Sequence, residues 1–264
     1  MNFIKYIYSA IFLMLTLLSC QKEGGVIQAN KAVVESFLQP GLPAVVKISK
    51  EIPFDGDSTQ NYYLQGLNVI IKYQGQSFKL TNDSLGYYSS RAFPILAGKD
   101  YTLSFTYNGF EVSAIATIPE RPVNIKSSAT SMTIPVWSGG FGSSRPVFPE
   151  PIQVNWDNPL NDYHYVVIKN LDTSSAQIEG GFRQGRYFTS SPDQSNSINI
   201  SFNRFRYYGR NLILVYRVQS EYAQLYSTVE TNSQNLTNVP TNVKNGLGIF
   251  TGVNIGDSLF VQVQ

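Results

Sequence analysis

Apolar and polar residues alternate in short runs along most of this chain, and few segments carry the three-and-four spacing of an amphipathic helix. The clearest run is Tyr101 to Tyr107, where Tyr101, Leu103, Phe105 and Tyr107 alternate with Thr102, Ser104 and Thr106. A period of two sends one set into a core and the other into water, which predicts a half-buried strand. Its partner is Phe110 to Ile118, across Asn108-Gly109, a dipeptide suited to the positive φ angles of a type I′ turn. Upstream, Ala32 to Leu38 and Ala44 to Ser49 flank a Pro40-Gly41 turn, and Leu67 to Tyr73 and Gln76 to Leu80 flank Gln74-Gly75. Together these segments predict a β domain over residues 31–120.

From Arg121 to Glu150 the pattern breaks, and Ser, Gly and Pro dominate, which predicts a connector over 121–150. It carries Trp137, Phe141 and Phe148; large aromatics in such a stretch either plug a domain interface or contact a ligand or partner. A second domain over 151–264 opens on Ile152-Gln153-Val154-Asn155-Trp156-Asp157-Asn158-Pro159, followed by Tyr163 to Ile168. A strand ending in Trp, a Pro-containing turn and a strand of spaced Tyr and Val is similar to strands B and C of fibronectin type III domains, which makes Trp156 a core residue. Leu212 to Gln219 and Leu259 to Gln264 read as later strands, and Glu221 to Ser227 as the best helical segment. The expected fold is all-β, with two β-sandwich domains, the first immunoglobulin-like or transthyretin-like and the second fibronectin type III-like.

The N-terminus follows another rule. After Lys5, the run from Tyr6 to Leu18 is almost wholly apolar, shorter than the roughly 20 residues of a spanning helix, and ends in Leu17-Leu18-Ser19-Cys20. That reads as an export signal over 1–19. The four residues resemble the bacterial lipobox, which implies that the Cys20 sulfur receives a diacylglyceryl group before cleavage on its N-terminal side. Two or three acyl chains, at about 0.8 kcal/mol per buried methylene, hold a protein on a membrane where one does not. Residues 20–30, with Gly24-Gly25, then form a flexible tether. Within it Glu23 resembles, as a single acid, the start of surface-displayed Bacteroidota lipoproteins, so the cell surface and the periplasmic face are both open.

Composition agrees with β structure: 17 Tyr, 16 Phe and 20 Gly accompany only 14% charged residues. A net charge of +2 provides no electrostatic footprint for nucleic acid. The single cysteine permits no internal disulfide, and with one histidine it makes a Cys/His zinc site untenable. No cofactor is expected.

Candidate chemistry is sparse. A Ser-His-acid triad would need His164, which lies between Tyr163 and Tyr165 in a strand pattern, without a Gly-x-Ser-x-Gly elbow. Asp157 reads as a hydrogen-bond acceptor in the turn before Pro159. Asp55-Gly56-Asp57-Ser58 has closely spaced oxygens but lacks the closing acid of an EF-hand loop, and Gly139-Gly140-Phe141-Gly142 lacks the Lys of a phosphate loop. Between residues 183 and 217, Arg183, Arg186, Arg204, Arg206 and Arg210 interleave with Tyr187, Tyr207, Tyr208 and Tyr216. Such a mixture either stacks on sugars or bases and clamps an anion, or is a sandwich exposing Arg on its wet face and burying aromatics on the other. The near-zero net charge favours the second; a ligand here would be a glycan or peptide. Asp83-Ser84-Leu85 and Asp257-Ser258-Leu259 resemble the Bacteroidota O-glycosylation acceptor, which marks Ser84 and Ser258.

Several longer stretches carry a family resemblance: Val33-Val34-Glu35, Gly86-Tyr87-Tyr88, Ala97-Gly98-Lys99-Asp100-Tyr101-Thr102-Leu103, Ile118-Pro119, Val154-Asn155-Trp156-Asp157-Asn158-Pro159, and Thr241 to Phe250. The chain resembles Bacteroidota lipoproteins that carry the domain of unknown function numbered 4249. In the last stretch the glycines read as a turn leading an apolar pair into the sheet. The resemblance implies an outer-membrane location and work beside TonB-dependent transporters, and brings no catalytic residues. The expected function is therefore a non-enzymatic, lipid-anchored accessory that binds a transporter or its ligand. A surface adhesin or matrix protein is the alternative, and a glycan-active enzyme the third reading.

Overall fold

A computed structural model of the protein describes residues 30–52, 61–135, 147–172, 174–178, 185–227 and 240–264. The chain is all-β, in two sandwich units. Four successive antiparallel hairpins make the first: β1 (Ala32–Leu38) with β2 (Ala44–Lys50), β3 (Ile70–Tyr73) with β4 (Gln76–Lys79), β5 (Thr81–Ser84) with β6 (Tyr87–Ser90), and β7 (Asp100–Tyr107) with β8 (Phe110–Thr117). Two of the turns are those the dipeptides predict, with positive φ at Gln74-Gly75 and at Asn108-Gly109. One layer runs β5-β6-β2-β1 and the other β4-β3-β7-β8. Alternation buries Val34, Val46, Ile48 and Tyr88 from the first against Ile71, Tyr101, Leu103 and Val112 from the second. The buried tyrosines keep their hydroxyls satisfied: Tyr88 Oη donates to Leu64 O, and Tyr101 Oη to Pro94 O.

The second unit layers β9 (Lys126–Ser127), β11 (Ile152–Asn155) and β14 (Ser197–Ile200) against a sheet ordered β13 (Tyr187–Thr189), β12 (Tyr163–Asn170), β15 (Gly209–Val218), β17 (Leu259–Val263) and β10 (Ser131–Met132). Strands β11 and β12 lie in opposite layers with Trp156 between them in the core, as the fibronectin-like reading expects. The expected connector is corrected in part: residues 126–134 are not linker, since β9 pairs with β11, β10 pairs with β17, and Met132 and Ile134 enter the second core. Residues 136–146 lie outside the described residues.

The larger correction concerns β16 (Gly246–Ile255), in a stretch expected to turn and to serve the second sandwich alone. Its residues 246–252 run parallel to β1, Ala32 to Leu38, and its residues 253–255 run antiparallel to β15, Tyr216 to Val218. One strand thus joins the two units into a continuous sheet, and Val243 and Phe250 fill the first core. Glycine makes this course possible. Gly248 has φ +90°, and a Cβ there would stand 2.0 Å from Val34 O; at Gly252 it would stand 2.4 Å from Thr117 O. The glycines that suggested a turn are sites of close backbone approach within a strand.

The segment before β16 lies along the edge strand β8. Asn245 Nδ2 donates to Glu111 O, Lys244 exchanges both backbone bonds with Ser113, and Gln219 Nε2 donates to Thr117 O. Asn242 grips β16 itself, donating to Phe250 O at 2.7 Å and accepting from Phe250 N at 3.0 Å. These contacts cover part of the outer edge of β8. Asn242→Ala leaves both Phe250 groups unpaired and is expected to cost about 2 kcal/mol in a denaturant melt; an unchanged midpoint would mean the bracket contributes nothing.

Helix α1 (Ser220–Ser227), one residue longer than expected, lies over the junction. Glu221 accepts a hydrogen bond from Thr251 of β16, and Tyr222 packs edge-on against Phe37 of β1.

Candidate functional site

Strand β12 has two faces with different chemistry. Its inward residues His164, Val166, Ile168 and Asn170 are buried, and its outward residues Tyr163, Tyr165, Val167 and Lys169 are half-buried. His164, the triad candidate, is 2% exposed and its ring lies 5.5 Å from that of Trp156. Its Nδ1 is 3.0 Å from Asp162 O; a carbonyl can only accept, so the neutral ring carries its proton on Nδ1. Neither His164 Nε2 nor Trp156 Nε1 has a partner among the described residues, and burial pulls the His164 pKa down to about 4 against a smaller upward pull from Asp193. Across the ladder stands Arg217, ion-paired with Asp162. No serine hydroxyl bonds this imidazole among the described residues, and the geometry is that of a core histidine. Asp157 sits as expected in its turn, accepting from Asn124 Nδ2.

The outward face gathers tyrosines that the sequence reading left apart. Tyr165 stacks on Tyr216 at 4.8 Å, Tyr222 stacks on Tyr165 at 5.5 Å, and Tyr222 and Tyr226 join hydroxyls at 3.0 Å. Burial raises the pKa values of Tyr165, Tyr216 and Tyr222, so these rings stay neutral. With Phe37 they form an aromatic seam where β1, β12, β15 and α1 meet. The four-residue spacing of Tyr222 and Tyr226 was the one local signal for it.

The Arg-aromatic run divides between the two readings. Four cations stack on rings of the same chain: Arg186 on Tyr207 at 4.4 Å, Arg204 on Phe188 at 4.6 Å, Arg210 on Phe260 at 4.1 Å and Lys169 on Tyr187 at 5.6 Å. Phe188 is buried, as a sandwich core demands, whereas Tyr187 is 54% and Phe260 43% exposed. Arg186 also donates to Asn170 Oδ1, and Arg206 to Gly185 O, so both brace loops. No local pattern links Lys169, Phe188 and Phe260 to these arginines, because the pairing is set by strands far apart in sequence.

Of the connector aromatics, Phe148 is half exposed and stacks on Phe202 at 4.2 Å, a contact within the second unit. Trp137 and Phe141 lie outside the described residues, as do Cys20, Arg183, Asp55-Gly56-Asp57-Ser58 and Gly139 to Gly142. Ser84, at the end of edge strand β5, and Ser258, in the break between β16 and β17, are both exposed. Among the described residues no three His, Cys, Asp or Glu side chains are grouped to hold a metal ion, and no helix is long and apolar enough to cross a membrane.

Solved structures similar to this chain include the FN1-FN3 domains of chicken CNTN1, 15% identical, with a TM-score of 0.27 over 72% of this chain; the chain spans 62% of that one. Domains A168-A170 from titin are 9% identical, with a TM-score of 0.24 over 89% of this chain and 67% of that one. No curated protein matches. A family model matches residues 22–258, and the chain belongs to that family, the domain of unknown function DUF4249.

Proposed function

We propose that this chain is a lipid-anchored β-domain protein of the outer membrane, a non-enzymatic accessory that binds a TonB-dependent transporter or its ligand. The observation that carries the reading is Leu17-Leu18-Ser19-Cys20 closing an apolar N-terminal run. Membership of the DUF4249 family supports it. So does the strand shared by the two sandwiches, which holds their common outer face in a fixed relation to β1, the strand that follows the tether. The only histidine is packed against Trp156, a structural use that leaves it unsuited to general base work.

Cys20→Ser is expected to move the protein from the membrane to the soluble fraction, with its fold intact by circular dichroism. A processed Cys20→Ser chain that still sediments with membranes would defeat the anchor. Crosslinking in intact cells with the unaltered protein is expected to recover an outer-membrane transporter. Recovery of another cell's surface components would transfer the chain to the adhesin reading.

A further inference from the structure

One end of the second sandwich carries a concentration of positive charge. Lys169, Arg186, Arg204, Arg206 and Arg210 meet there around a single described acid, Asp172, whose carboxylate is turned onto the backbone N–H of Arg210 at 2.7 Å. Arg186 donates to Asp172 O, which ties two of these cations to one loop. The opposite end of the same sheet holds the acids Asp162 and Asp193 beside His164, with Arg217 ion-paired to Asp162. Positive charge is therefore denser at one end of β12, although the whole chain has a net charge of only +2.

On the outer face at the basic end, the ladder sets one row across four strands. Tyr187 of β13 stands opposite Lys169 of β12, Lys169 opposite Leu212 of β15, and Leu212 opposite Phe260 of β17. Arg210, two residues from Leu212 and on the same face, lies over the Phe260 ring. The row spans roughly 14 Å, three strand spacings, with an exposed aromatic ring at each end and cations beside both. The Arg210 guanidinium lies 4.1 Å over the Phe260 ring, and a guanidinium binds a carboxylate in two-pronged fashion. Neither Lys169 nor Arg210 forms an ion pair with a carboxylate among the described residues.

We infer that this row binds an acidic polysaccharide, with Tyr187 and Phe260 covering the C–H faces of sugar rings and Arg210 and Lys169 holding uronate carboxylates. Exposed rings spaced along a sheet face suit a chain of pyranose units, whose alternate apolar and charged features match the row. This inference rests on the reading of the protein as a binding module, but not on its anchor or its transporter.

The test is affinity electrophoresis and calorimetry of the purified full chain in detergent, with polygalacturonate as probe. Binding is expected to polygalacturonate and not to neutral dextran, and to weaken as salt is raised. Arg210→Gln is expected to weaken it about tenfold, the size of one lost charge-assisted hydrogen bond, and Arg210→Lys to restore only part. Lys169→Gln, which removes a half-buried cation without disturbing the Phe260 stack, provides a second variant should Arg210→Gln unfold. Absence of binding, equal binding to dextran, equal binding to polyglutamate or single-stranded DNA, or undiminished binding by folded variants would each overturn the inference. Failure here with a transporter still recovered by crosslinking would leave the accessory reading standing.

Discussion

Gly248→Ala is expected to destabilise the whole chain by at least about 4 kcal/mol, and to do so in both sandwiches at once. Two penalties add at this position. An alanine at φ +90° is in a region closed to L residues, a cost on the order of 1–3 kcal/mol, and its Cβ would stand 2.0 Å from Val34 O, so β16 must separate from β1 to admit it. Gly41 separates the two penalties, because it has φ +81° with nothing within 4 Å of a Cβ; Gly41→Ala should lose only about 1 kcal/mol. Since β16 passes from β1 to β15, loss of its first half should lower the unfolding midpoint reported by tryptophan fluorescence, measured in a Trp137→Phe background so that it follows Trp156 in the second core. A fluorescence midpoint unchanged in Gly248→Ala would mean that the second sandwich stands without the first.

Acid should unfold the protein through His164. The histidine has a folded pKa of about 4, lowered by burial, against 6.5 for a free one. Its contribution is fully present above pH 6.5 and is lost as pH falls towards 4, in total about 3 kcal/mol. The charges near it are Asp193, whose backbone pairs with His164, and Asp162 with its partner Arg217; Asp193 moderates the cost of protonation without reversing it. A protonated ring would also present a second N–H at Nε2, which is buried without an acceptor among the described residues. Denaturant melts between pH 7 and pH 4 should show this slope, and His164→Asn should flatten it whatever its effect at pH 7. A slope that persists in His164→Asn would assign the acid sensitivity to other groups.

Where local chemistry decides structure, the sequence was legible. Ala32 to Leu38 forms β1 with the expected bounds, an apolar-rich run closed by the Pro40-Gly41 turn. The Asn108-Gly109 turn follows from the φ angles its residues tolerate, and the helix from a short segment free of glycine and β-branched residues. Trp156 is core because a large ring at a strand end needs a second layer to cover it. What could not be read depends on partners distant in the chain. β16 contains three glycines and looks locally like a turn; only Val243 and Ala32 O at Gly246, Val34 O at Gly248 and Thr117 O at Gly252, brought close by folding, explain them. β5 and β13 are short edge strands without a full period of alternation. The candidate site divides in the same manner: the Arg-aromatic composition was visible, but the pairing of Lys169 with Tyr187 and of Arg210 with Phe260 arises from strand register.

All of these points converge on β16 as the element that makes two sandwiches one body, and hence gives the outer face of the second unit a fixed place relative to β1. Native-state hydrogen exchange tests it most directly. Amides of β1, of both halves of β16 and of β12 and β15 are predicted to open with a single free energy equal to that of global unfolding. Protection of β1 and β2 that survives while β12 and β15 exchange through a separate, lower-energy opening would contradict it.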